Sequence, residues 1–228
     1  MVSNITRNGL VLMLLGGFAA GCASTEPVAY SGLASAAQLR PDPNDRSGRK
    51  PYGYESEVDW STYRKIIIPP VGIYGGPDSQ FGKMPDADKR LLAAYMQSEF
   101  MSAAATRFAI TTIPAPDVLR VEITLTGAKA TTPVLGTASR FDIMGGAYNT
   151  VQAVRQKEGA LTGSVSYAVE IYDAASNRLL KAYVAKQYPN AMNVGASLKP
   201  LDAAKVGIRK AADDFVAQIR EGPSMAAG

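Results

Sequence analysis

The 228-residue sequence contains no histidine and only one cysteine. Without histidine, the chain lacks the commonest general base, the usual metal ligand and any Ser-His-Asp or Cys-His catalytic arrangement. A single cysteine excludes an intramolecular disulfide and a thiolate metal cluster. We therefore expect a protein that is not an enzyme and that needs neither a cofactor nor a metal ion.

The basic residues are scattered along the chain, apart from one short stretch. The 24 basic residues outnumber the 20 acidic ones, for a net charge of +4. One local concentration, at Arg40, Arg46, Arg49 and Lys50, lies in a stretch rich in Pro, Gly and Asp. Nucleic-acid binding requires a stripe of Lys and Arg, often with interleaved aromatic residues. The sequence therefore predicts no nucleic-acid partner.

The amino terminus reads MVSNITRNGLVLMLLGGFAAGC over residues 1–22. Arg7 supplies positive charge ahead of an apolar run from Leu10 to Ala20. That run is shorter than the roughly 20 apolar residues that span a bilayer, and small residues follow it. This order is typical of a cleavable export signal covering residues 1–21.

The segment that ends at Cys22 resembles the lipobox of bacterial lipoproteins, with Ala19 at the position where leucine is usual. The resemblance implies lipidation of Cys22, including palmitate, after removal of the signal. Ala23 follows the cysteine in place of the aspartate that retains such proteins in the inner membrane. We expect a lipoprotein of the outer membrane that faces the periplasm. The alternative is an ordinary signal peptide with Cys22 as a bystander.

The mature chain divides into three predicted regions. Residues 22–55 are rich in Ala, Ser, Pro, Asp and Gly, which is typical of a flexible tether, although residues 31–40 could dock on the domain. Residues 56–221 carry the periodic apolar patterns of one globular domain. Residues 222–228 form a predicted disordered tail.

Strand and helix periodicities alternate within that domain. Leu119, Val121 and Ile123 are separated by polar residues, which is the period of a half-buried strand. Residues 173–177 (DAASN) form a turn between two such runs, so they predict a hairpin. Predicted strands cover 65–69, 108–113, 117–129, 161–172 and 179–187, and predicted helices cover 86–107 and 199–220. We expect a single α+β domain with a largely antiparallel sheet and two long amphipathic helices packed on it.

Several segments, in order, resemble proteobacterial lipoproteins of the domain-of-unknown-function 3313 family. They are SGLASAAQLRPDP, DWSTYRKIIIPPVGIY, PAPDVLRVEITLTGAKAT, VEIYDAASNRLLKAYV and the terminal helix, within residues 31–220. Asn177 stands where the family commonly has glycine. The resemblance implies an envelope location; the family has no established activity, so it transfers no catalytic residue.

Aromatic and acidic side chains cluster before the first predicted strand. Tyr52, Tyr54, Trp60 and Tyr63 are candidates for a face that binds an envelope protein partner, because tyrosine and tryptophan are enriched at interfaces. Further tyrosines lie on the predicted hairpin. Glu55, Glu57 and Asp59 are candidate paired carboxylates, although such charges usually face solvent.

Three hypotheses follow for the function. The first is a membrane-anchored lipoprotein whose domain is a non-enzymatic binding or accessory module. The second is a carboxylate-based envelope hydrolase acting on glycan or lipid, and the third is a purely structural role in an assembly. The sequence favours the first, because no general base or catalytic motif stands out.

Overall fold

A computed structural model describes residues 26–131, 163–189 and 199–220. The predicted signal peptide, Cys22 and the predicted tail at 222–228 lie outside these ranges, as do residues 132–162 and 190–198. The described residues form one eight-stranded sheet with two long helices.

The sheet contains the strands that the alternating patterns predict and several shorter ones. The strands are β1 (Arg40–Pro41), β2 (Tyr52–Glu55), β3 (Lys65–Ile67), β4 (Gly72–Ile73), β5 (Ala109–Ile110), β6 (Val118–Lys129), β7 (Ser164–Asp173) and β8 (Leu179–Gln187). Their order across the sheet is β1-β2-β8-β7-β6-β3-β5, and β4 also pairs with β6. The order places β1 and β5 at the two edges.

The sheet is mixed, which corrects the predicted, largely antiparallel arrangement. β6, β7, β8, β2 and β1 are antiparallel neighbours, but β3 runs parallel to both β5 and β6, and β4 runs parallel to β6. Parallel strands need a long crossover connection, and the first long helix lies in the chain between β4 and β5. The α+β class is confirmed.

Two helices cover one face of the sheet. They are α1 (Asp86–Ala105) and α2 (Asp202–Arg220), close to their predicted limits. Leu92, Met96, Phe100 and Ala104 recur every four residues on α1, so one side of that helix is buried. The ring of Phe100 lies 5.4 Å from that of Phe215 on α2, measured between centroids. The two helices therefore pack on each other as well as on the sheet.

An amino-terminal segment covers part of the opposite face. Every residue of β7 from Ser164 to Tyr172 is buried, so the strand is covered on both sides. Tyr30, Leu33 and Leu39 supply this second cover and pack in one cluster that includes Val184 of β8. The predicted flexible tether at residues 22–55 is therefore wrong from Tyr30 onward, because this part of the chain contributes to the core and includes β1 and β2.

The β7–β8 hairpin is confirmed at its turn. Asn177 has φ of 58°, a left-handed conformation that asparagine tolerates better than most residues. The Asp173 carboxylate accepts hydrogen bonds from the main-chain amide and the hydroxyl of Ser176, at 2.8 Å each. Asn177 thus adopts the positive φ at a position where the family commonly has glycine.

Candidate functional site

A groove of about 350 Å³ lies at the sheet edge formed by β1, β2 and β8. Arg40, Gly53 and Tyr183 stand opposite one another on these three strands. Side chains paired across antiparallel strands share a face of the sheet. Tyr183 belongs to the core beneath the helices, so this row faces the helix side. The groove lies on that face beside the last turn of α2, and Gln218 of this helix forms one border.

Gly53 keeps the groove open. Gly53 lies between two tyrosines on β2 and pairs with Tyr183. A Cβ built on Gly53 would have one neighbouring atom within 4 Å, the carbonyl oxygen of Ala182 at 3.7 Å. The space above Gly53 is thus unfilled, and any larger side chain there would occupy the groove.

Tyr183 forms the floor and carries a hydroxyl without a hydrogen bond. The side chain is 4% exposed, and within the described part of the chain its hydroxyl has no hydrogen-bond partner. The neighbouring Gln218 amide donates instead to the carbonyl of Asp214, at 3.2 Å. Burial raises the pKa of Tyr183 well above its ordinary value, with the charges of Tyr167 and Asp214 adding to the effect. The hydroxyl is therefore neutral, and it is buried out of contact with solvent beside Gln218.

Lys50 places an ammonium group beside that tyrosine. Its Nζ lies 5.9 Å from the centroid of the Tyr183 ring. Among the described residues, no carboxylate forms a salt bridge with it, whereas its main-chain amide donates to Asp45 at 2.6 Å. Burial lowers the pKa of Lys50, and the charges of Asp214, Asp42 and Asp45 oppose this effect. The half-buried ammonium thus has carboxylates in its surroundings, but among the described residues none lies within salt-bridge distance.

The other charged groups of the groove are engaged by the protein itself. Lys181 forms a salt bridge of 3.1 Å with Glu55, its cross-strand partner. The Arg40 guanidinium donates to the carbonyls of Ala37 and Leu39, at 2.8 and 2.9 Å. Asp42 accepts the main-chain amide of Asn44. Among the basic groups, Lys50 differs in having neither an ion pair nor a hydrogen bond for its ammonium.

The predicted aromatic partner face does not exist as one surface. Trp60 and Tyr63 are 4% and 8% exposed, and they pack in the main core. The Tyr63 hydroxyl donates to Asp173 at 2.9 Å. Tyr52 and Tyr54 are half-buried against the second cluster and also line the groove. The prediction failed because tyrosine and tryptophan are large apolar side chains that also serve as core residues.

The three candidate carboxylates are also separated in their roles. Glu55 pairs with Lys181, and Glu57 is exposed. Asp59 caps the 3-10 turn at Trp60–Thr62 by accepting the Ser61 amide at 3.0 Å. Within the described ranges, no group of three or more Cys, Asp or Glu side chains is placed to hold a metal ion. Glu55, Glu57 and Asp59 therefore have separate surroundings and do not act as one group.

Sequence reasoning missed Gly53, assigned Lys50 to a solvated stretch, and considered Tyr183 only as one of the tyrosines of the predicted hairpin. Gly53, Lys50 and Tyr183 come from two parts of the chain that are over 120 residues apart. The available signal was the alternation of YGYE at 52–55, in which a glycine stands between two tyrosines of a strand-like run. Because residues 22–55 were assigned to a tether, this run was not recognised as a strand.

The fold is a mixed α+β sheet with two helices on one face and an amino-terminal segment on part of the other. A family model described as "Protein of unknown function (DUF3313)" matches residues 29–215, and the chain belongs to that family. The match begins one residue before Tyr30, the first large hydrophobic side chain that is buried. No curated protein matches the chain.

Three solved structures share parts of this architecture at low identity. A PelC dodecamer from Paraburkholderia phytofirmans is 10% identical over 69% of this chain and 92% of its own, with a TM-score of 0.37. The hypothetical protein CT253 from Chlamydia trachomatis is 10% identical over 69% and 98%, with a TM-score of 0.36. A putative neuraminyllactose-binding hemagglutinin homolog from Helicobacter pylori is 9% identical over 75% and 87%, with a TM-score of 0.31. These similarities carry no argument about activity.

Proposed function

We propose that this protein is an envelope lipoprotein anchored by a lipid on Cys22, with its domain serving as a non-enzymatic binding or accessory module. The domain faces the periplasm from the inner leaflet of the outer membrane. The observation that carries the proposal is the short distance along the chain between Cys22 and Tyr30, the first large hydrophobic side chain that is buried.

This spacing supports a domain held close to the membrane. Seven residues separate Cys22 from Tyr30. Eight steps of extended chain reach at most about 30 Å. Tyr30 is 1% exposed, and its hydroxyl donates to the Gln80 side chain at 2.9 Å, so the chain is fixed to the domain at this residue. A lipid on Cys22 would therefore hold the folded domain near the headgroups.

Membrane attachment through this cysteine requires no transmembrane helix. In the described ranges, neither helix combines the length and the apolar character needed to cross a bilayer. Two or three acyl chains bind a bilayer firmly, whereas a single chain binds it only marginally. The predicted lipidation thus supplies a sufficient anchor on its own.

Replacing the cysteine tests the anchor directly. We expect Cys22→Ser to abolish metabolic labelling with palmitate and to release the protein into the soluble periplasmic fraction. Ser24→Ala is the matched control, since it changes a neighbouring small polar residue and keeps the thiol. Palmitate labelling of the Cys22→Ser protein, with unchanged membrane association, would overturn the proposal.

A further inference from the structure

We propose that the groove bordered by Lys50, Gly53, Tyr183 and Gln218 binds an acidic saccharide, with the carboxylate of the sugar against Lys50 and its hydroxyls against Gln218 and Asp42. This inference rests on the proposed binding function and names its class of ligand.

The anionic part of the ligand follows from Lys50. A half-buried ammonium with no carboxylate partner among the described residues has lost part of its hydration without gaining an ion pair. A carboxylate entering the groove supplies the missing partner, and hydrogen bonds to charged groups are stronger than neutral ones. Lys181 does not compete for that carboxylate, because Glu55 already occupies it.

The hydroxyl-rich part follows from Gln218 and Asp42. Both side chains border the groove, and together they offer amide donors and carbonyl and carboxylate acceptors. The Tyr183 side chain supplies the floor, and its own hydroxyl is buried. A ligand that carries several hydroxyl groups satisfies donors and acceptors of this kind, whereas an apolar ligand would leave them unpaired.

Size and access agree with a single sugar unit or the end of a chain. Ligand pockets commonly enclose about 300–1,000 Å³, so the groove of about 350 Å³ is at the small end of that range. The missing side chain at Gly53 opens it at the edge of the sheet. A longer glycan could continue out of the groove along β1 and β2.

The experiment measures binding of D-glucuronate to the full mature chain, purified from membranes in detergent, by equilibrium dialysis. D-Glucose tests the need for the carboxylate, and glycerol 3-phosphate tests whether a lipid-headgroup phosphate is the better ligand. We expect glucuronate to bind about tenfold more tightly than either of these ligands. Glucose has no charge to pair with Lys50, and glycerol 3-phosphate carries its charge on a differently placed phosphate.

Two variants test the position of the ligand. Lys50→Gln and Gly53→Ile should each weaken glucuronate binding by about tenfold or more, the first by removing charge and the second by filling the groove. Lys50→Arg keeps the charge and should retain binding. Lys83→Gln and Gly75→Ile are matched controls outside the groove, and they should bind as the unaltered chain does. Far-ultraviolet circular dichroism confirms that each variant folds.

The outcomes separate this inference from the proposed function. Equal binding of glucose, preference for glycerol 3-phosphate, or undiminished binding by a folded Lys50→Gln variant would each overturn the acidic-saccharide assignment. None of these results affects palmitate labelling at Cys22. Conversely, loss of the anchor in Cys22→Ser leaves glucuronate binding measurable on the released protein.

Discussion

The carboxylate of Glu170 accepts a hydrogen bond of 2.6 Å from the main-chain amide of Ser35. Glu170 lies in the middle of β7 and is 4% exposed, and Ser35 is 1% exposed. A buried carboxylate and a buried amide are each costly without a partner. Their pairing therefore fastens the amino-terminal segment to the centre of the sheet, on the face opposite the helices.

Removing this acceptor should loosen the segment. We expect Glu170→Ala to lower the free energy of unfolding by about 1–3 kcal/mol, because the Ser35 amide is left buried and unpaired. Hydrogen exchange measured by mass spectrometry should show faster exchange at residues 30–39. Glu170→Gln keeps an acceptor oxygen, so its free energy of unfolding should fall less than that of Glu170→Ala. Equal decreases in the two variants would contradict the role assigned to the carboxylate.

Tyr30 provides the largest apolar contact of the same segment. Its ring packs edge-on against Tyr74, with centroids 5.3 Å apart. We expect Tyr30→Ala to destabilise the fold by about 3–5 kcal/mol, as for truncation of other buried aromatic residues. Tyr30→Phe removes one hydrogen bond, to Gln80, and should cost about 1 kcal/mol. Urea denaturation measures both, and a negligible effect of the alanine variant would show that the segment is not part of the cooperative unit.

Asn177 should be sensitive to its left-handed backbone conformation. We expect Asn177→Ala to cost about 1–2 kcal/mol, because a Cβ without a compensating side-chain bond disfavours positive φ. Asn177→Gly removes the same side-chain hydrogen bond from Arg120 and frees the backbone. In thermal unfolding, the Asn177→Gly variant should therefore have a higher midpoint temperature than the Asn177→Ala variant. The reverse order would show that the bond to Arg120 matters more than the conformation.

Acid should weaken the attachment of the amino-terminal segment through Asp78. Its carboxylate accepts hydrogen bonds from the Tyr74 hydroxyl at 2.6 Å and from the Ser31 amide at 2.9 Å, and these lower its pKa below the ordinary 3.8. A lowered pKa in the folded state contributes stability above pH 3.8, and this contribution is lost as the pH falls through the folded-state pKa.

Asp78→Asn should therefore be less stable than the unaltered chain at pH 6, and the difference should shrink below pH 3.8. Urea denaturation at a series of pH values from 6 to about 2.5 measures this difference. A difference that stays constant over the whole range would contradict the role assigned to the ionised carboxylate.

Strongly periodic elements could be predicted from the sequence, whereas their partners could not. α1, β6, the β7–β8 hairpin and α2 were predicted because each repeats its apolar residues over three or more turns or strand pairs. β3 was predicted as a strand, but its parallel pairing with β6 depends on contact between Lys65 and Val118, which no local pattern encodes.

The amino-terminal segment was predicted to be a tether in which residues 31–40 could dock, and its two strands and its place in the core were missed for a different reason. Tyr30, Leu33 and Leu39 are too few and too irregularly spaced to form a helix or strand pattern, and small polar residues surround them. The segment is ordered by the apolar side chains of β8 and by Glu170, so its structure is imposed by the sheet. The groove shares this origin, because β1 and β2 belong to the same part of the chain.

The edge strand β5 limits how these molecules can associate. It contributes two residues to the sheet, and the exposed side chains of Ile110 and Ile113 follow along its outer side. Pro114 and Pro116 come next and have no amide hydrogen to donate. An incoming strand would therefore find too few hydrogen-bonding groups to extend the sheet. At this edge of the described sheet, a second copy of the chain therefore finds little backbone on which to build a continuous sheet.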